Sequence, residues 1–176
     1  MASTAKQITL EFPDGRKAEY PAGTTSLEVA GQISEGLARV TVAARVNGVI
    51  VDVTSPIEED ASFKLLTFKD RDGVEVFHHS SAHLLAQAVV DLFPDAKPTI
   101  GPPVDEGFYY DFDHDPFTTE DLERIEQRMK ELAKENFTFE RTVISKDEAL
   151  KMFGDNAYKV ELIEDFGDET APASRQ

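Results

Sequence analysis

Val42-Ala-Ala-Arg-Val46, Asn47-Gly48, Val49-Ile-Val-Asp-Val53: two apolar runs flank an Asn-Gly pair, the strongest hairpin signal in the chain. Asn-Gly favours the primed two-residue turns whose twist matches that of paired strands. On the N-terminal side, Ile8-Thr-Leu-Glu-Phe12 alternates apolar and polar, the period of a half-buried strand. Pro13-Asp14-Gly15 supplies a turn, and Arg16 to Tyr20 returns as a second strand. Thr24-Thr25-Ser26 offers hydroxyl caps to a short helix carrying Leu27, Val29, Ala30 and Ile33. On the C-terminal side, Ser62 to Phe68 reads as one more strand. Strand, strand, helix, hairpin and late strand predict a ubiquitin-like β-grasp sheet folded over one helix, and hence an α+β chain.

Lys69-Asp70-Arg71-Asp72-Gly73 is charged and ends in glycine, so it marks the boundary between a module at 1–69 and another at 74–176. The second module opens on a helix near His79 that runs through Leu85 and Leu92 and stops at Phe93-Pro94. Gly101-Pro102-Pro103 is a bend, and Gly107 to Phe112 is aromatic enough for a strand. A second helix starts at Thr118 or Thr119, with Leu122, Ile125, Met129 and Leu132 at helical spacing. Thr138 to Ile144 alternates as a strand. Ser145 with Glu148 forms a capping box for a helix from Lys146 to Phe153. Tyr158 to Ile163 reads as a last strand, and the acidic end beyond Glu164 reads as frayed.

The 176 residues suffice for two small domains, and a 40% hydrophobic content suffices for their cores. The chain has no cysteine, which excludes disulfides and thiolate metal sites. Met1 to Gln7 shows no signal pattern, and no apolar run nears the roughly 18 residues of a membrane span. These features predict a cytoplasmic protein with no membrane partner. The net charge of -16 is distributed unevenly: residues 1–75 carry 8 basic and 12 acidic groups, and the remainder carries 10 and 22. Neither half is the basic platform that gains affinity by neutralising phosphates, so tight RNA binding by this chain alone is not expected.

Chemistry concentrates in the second module. His79 and His83 are four residues apart on a helix, so their imidazoles share one face and can hold a metal, a water or a hydroxyl. Two partly buried core histidines would give the same spacing. Position 80 is serine, so the helix lacks the glutamate of a zinc protease, and two imidazoles fall short of the usual four ligands; no metal is expected. Lys159 lies in an apolar segment, where an outward-facing lysine is the ordinary reading.

Taken in order, the motifs resemble the N-terminal part of bacterial-type threonyl-tRNA synthetases. Phe12-Pro-Asp-Gly15, Pro21-Ala-Gly-Thr-Thr25 and Val46-Asn-Gly48 look like the TGS domain of that family. His79-Ser-Ser-Ala-His-Leu-Leu85, Phe93-Pro-Asp-Ala-Lys97, Ile100-Gly-Pro102, Gly107-Phe-Tyr-Tyr-Asp111 and Tyr158-Lys-Val160 look like its editing domain. The resemblance implies a parent that attaches threonine to its tRNA and hydrolyses mischarged seryl-tRNA. It implies editing roles for His79, His83 and Lys159, and places Gly101 and Tyr110 near the terminal adenosine. It also implies ATP with magnesium, a zinc ion and a homodimer interface, all in a catalytic core outside these residues. The editing site of the family is completed by a later Cys-x-Gly-Pro-His-type motif that this chain lacks, so the chain alone is expected to be inactive. The alternatives are a naturally short, non-catalytic TGS-type module that docks RNA or a protein, and a metal-dependent hydrolase built on His79 and His83.

Overall fold

A computed structural model describes residues 6–104, 106–135, 137 and 142–165. The chain divides into two compact units, residues 1–77 and 78–176.

The first unit contains β1 (Gln7–Glu11), β2 (Lys17–Pro21), β3 (Thr24–Thr25), α1 (Ser26–Ile33), α2 (Glu35–Val40), β4 (Thr41–Val46), β5 (Val49–Val51), β6 (Pro56–Ile57) and β7 (Ala61–Thr67). Five strands form one mixed sheet in the order β2-β1-β7-β4-β5, with β1 and β7 parallel and the other pairs antiparallel. Asn47 at φ 50° and Gly48 at φ 83° make the turn between β4 and β5, with Val46 opposite Val49. Two consecutive positive φ values are what a type I′ turn demands, and Asn and Gly tolerate them best. α1 begins with a capping box: Thr25 Oγ1 accepts the Glu28 amide at 3.3 Å, and the Glu28 carboxylate accepts the Thr25 amide at 2.8 Å. The alternating residues Ile8 and Leu10 of β1, with Ala61 and Phe63 of β7, turn inward against Val29 of α1 and are all nearly inaccessible. Phe12 meets Phe63 edge to face at 5.5 Å. The arrangement matches the expected β-grasp, with α2 and the β3–β6 ladder added to it.

α3 (Arg71–Leu92) is one helix of 22 residues. It begins earlier than the expected start near His79, and Arg71 to Gly73 are its first turn rather than part of a linker. Asp70 turns the chain into it: the Asp70 carboxylate accepts the Thr67 amide at 3.0 Å and pairs with Lys64 at 2.6 Å, while its carbonyl accepts the Val74 amide. Gly73 is buried, and a Cβ placed on it would lie 2.2 Å from the Thr67 carbonyl oxygen. Glycine stands there because backbone approaches backbone, not because the chain turns.

The second unit takes the rest of α3, then β8 (Lys97–Pro98), β9 (Pro103–Val104), β10 (Gly107–Phe108), β11 (Phe112–Asp113), α4 (Thr119–Glu135), α5 (Lys146–Phe153) and α6 (Ala157–Asp165). Ala88 and Val89 of α3 pack with Ile125 and Leu132 of α4, joined by Leu85, Leu92, Phe93 and Met129. Arg128 of α4 donates twice to Asp91 of α3, at 2.7 and 2.9 Å. The Ser145–Glu148 capping box of α5 forms as expected. Three expectations need correction. Gly107 to Phe112 is not one strand: β10 and β11 pair with different partners, β9 and β8. Tyr158 to Ile163 is helical, within α6; Asn156 caps it, and that cap outweighs the apolar alternation. Thr142 to Ile144 has no regular structure, and residues 138–141 of that expected strand lie outside the described ones, as does most of the acidic end beyond Glu164.

Candidate functional site

The buried face of α3 carries Leu85, Ala88, Val89 and Leu92, and the one-turn spacing of His79 and His83 puts both imidazoles together on a different, less buried face of the helix. Their rings meet edge to face with centroids 4.7 Å apart. The two Nε2 atoms are 3.1 Å apart, within hydrogen-bond distance. Such a bond requires one Nε2–H and one Nε2 lone pair, so the pair is held together while at least one ring is neutral. Burial, then the charge of His79, then that of Lys159 push the His83 pKa below the usual histidine value. The His83 ring is exposed by surface area, so crowding can penalise its charge only in part; the two neighbouring charges act in the same direction at any exposure.

Lys159 stands on α6, close enough for its charge to oppose protonation of His83. Asn156, just before that helix, accepts the Tyr158 amide at 3.1 Å and the Lys159 amide at 3.2 Å on one side-chain oxygen. This satisfies donors that a helix start otherwise leaves orphaned. Gly101 and Tyr110 form a second grouping: a Cβ on Gly101 would lie 2.2 Å from the Tyr110 ring. Tyr110 also stacks on Phe112 at 4.9 Å and 25°, and burial pushes its phenol pKa up. One edge and one face of the ring are therefore engaged within the chain. The ladder continues past β8 and β11 through the Asp111 amide on the Ile100 carbonyl, which brings Gly101 beside Tyr110.

Residues 7–67 match the TGS domain family. A threonine–tRNA ligase of Desulforamulus reducens is 52% identical over 165 residues, covering 92% of this chain and 26% of the relative. Its counterparts in Pelobacter propionicus and Caldanaerobacter subterraneus subsp. tengcongensis are each 47% identical over 96% and 94% of the chain. The chain is related to the N-terminal region of threonine–tRNA ligases. It spans about a quarter of the length of these curated relatives.

Within this threonine–tRNA ligase-related chain, sequence reasoning missed Asn156 and Asp113. An Asn directly before an apolar-periodic run is a helix-start cue, but reading 158–163 as a strand concealed it. His114 stacks on Phe117 at 4.8 Å and contacts the Asp115 carbonyl at 2.7 Å, a packing role. Among the described residues, no group of three or more His, Asp or Glu side chains is placed to hold a metal ion, and no helix is long and apolar enough to cross a membrane.

Proposed function

We propose that this chain is the N-terminal portion of a threonine–tRNA ligase, with a TGS module followed by the first part of an editing domain. The observation that carries the reading is the His79–His83 pair at 3.1 Å with the Lys159 charge bearing on it, in a chain 52% identical to such a ligase. Serine differs from threonine by one methyl, worth about 1–3 kcal/mol of discrimination, so a second pocket must remove seryl-tRNA. One imidazole of the pair, in its neutral form, accepts a proton from an attacking water, and the Lys159 ammonium stabilises charge developing on the ester oxygen. Gly101 and Tyr110 stand near the terminal adenosine in this reading. ATP, magnesium, zinc, the dimer interface and the remaining editing residues belong to the rest of the parent, a cytoplasmic enzyme acting on threonine tRNA.

The test uses a full-length ligase built around this N-terminus. His83→Ala and Lys159→Ala should each slow seryl-tRNA hydrolysis by ~10²–10⁴-fold, while threonyl-tRNA formation stays near normal. Equal loss of both activities would make these residues structural and sink the assignment.

A further inference from the structure

We propose that Asn156, assisted by Tyr158, is a positioning residue that fixes Lys159 beside the His79–His83 pair by tying α6 to the β8–β11 ribbon. The catalytic meaning of the device rests on the editing reading, but its mechanics do not.

α6 has no fully buried residue, and its apolar Val160 and Ile163 are only half-buried, so apolar packing alone does not fix its position. Polar contacts must do more of the holding. The Asn156 amide nitrogen donates to the Pro98 carbonyl of β8 at 3.2 Å, in a partly buried bond. The Tyr158 hydroxyl donates to the Asp113 carboxylate of β11 at 3.1 Å. Pro98 pairs with Phe112 and Lys97 with Asp113, so the two tethers land on adjacent rungs of one ladder. The acceptor side of the same Asn156 amide takes the Tyr158 and Lys159 amides. One side chain therefore caps the helix that carries Lys159 and anchors that cap to the ribbon. Aspartate would lose the donor, and serine would keep an acceptor without the reach of the amide.

His83 reports where Lys159 is, because a nearby positive charge disfavours its protonation. The test is an NMR titration of the His83 imidazole in the whole 176-residue chain. Lys159→Met should raise the His83 pKa, because it removes one of the charges that lower it. Asn156→Ala should produce at least half of that rise, and Tyr158→Phe, a milder change, a smaller one. In the double variant Asn156→Ala/Lys159→Met, the rise should equal that of Lys159→Met alone, because contacts acting through one another are not additive. Asn156→Ser, which retains an acceptor for the cap, should fall between wild type and alanine. If Asn156→Ala leaves His83 unmoved, or shifts it equally with and without Lys159, the proposal is overturned. Should Asn156→Ala fail to fold, the same two criteria apply to Tyr158→Phe. In the full-length ligase, Asn156→Ala should lower kcat for seryl-tRNA hydrolysis about tenfold with KM little changed. If Lys159→Ala has no effect on that hydrolysis, the editing reading falls, and the titration still decides the positioning.

Discussion

Burial and the charges of His79 and Lys159 all oppose protonation of His83, so it keeps its neutral form to lower pH than an ordinary imidazole. The consequence for stability has a definite sign. Above the ordinary histidine value of 6.5 the group is neutral in both folded and unfolded chains and contributes no pH dependence. Below it the unfolded chain takes up the proton first, so stability falls with falling pH until the depressed folded value is passed. Urea midpoints should therefore decline as pH drops below 6.5, and His83→Gln should flatten that decline. An equally steep decline in His83→Gln would locate the effect elsewhere. Losses that begin only below the ordinary carboxylate values of 3.8 and 4.5 belong to other groups, such as Asp121 and Glu148, whose hydrogen bonds to Thr118 and Ser145 hold them low. The histidine pair was legible in the sequence because helical spacing alone brings i and i+4 together. The contact of Gly101 with Tyr110 was not, because no local pattern reports two loops approaching each other across a ladder.

Two helical glycines show how an element is fixed by what lies beside it. In α1, a Cβ on Gly31 would meet nothing within 4 Å. Gly31→Ala should raise stability by up to about 1 kcal/mol through helix propensity and a less free unfolded chain. In α3, Gly73→Ala gains the same propensity but drives its methyl into the Thr67 backbone at 2.2 Å. Helix or strand must move, at a cost of about 1–3 kcal/mol, so the net effect should be destabilising. Opposite shifts in urea midpoint for the two variants are the expected result; stabilisation by both would mean that α3 can swing clear of β7. Elements with a strong local signal, the Asn47–Gly48 hairpin and the α4 and α5 helices, were readable. The start of α3 and the helical character of α6 were not, for different reasons. The start of α3 is set by a turn at Asp70 and a backbone contact at Gly73. α6 has alternating Tyr158, Val160 and Leu162, a strand-like pattern that its Asn156 cap overrides.

For the molecule as a whole, the first unit should fold without the second, and its natural end is a matter for experiment. A fragment of residues 1–77 keeps the Arg45–Asp72 ion pair at 2.5 Å and the edge-to-face Phe68–Phe77 pair at 5.1 Å, which a fragment of 1–69 loses. The ion pair is partly exposed and worth about 0.2–1 kcal/mol, and the ring pair about 0.5–1.5 kcal/mol. Both fragments should unfold cooperatively, with 1–77 about 1 kcal/mol more stable once fraying of its short helical tail is allowed for. Identical midpoints would show that the start of α3 adds nothing to the first unit. The sheet order has one more consequence, for a chain still being made. β7 is the last strand of the sheet to be synthesised, yet it lies between β1 and β4. Until it emerges, the nascent polypeptide holds two separate hairpins, each with an open edge toward the gap. At about 5–20 residues per second, that state lasts about 1–3 seconds. A nascent chain halted with β5 outside the ribosome and β7 still in its exit tunnel would thus present two strand edges waiting for a partner, which is the kind of surface that quality-control chaperones bind.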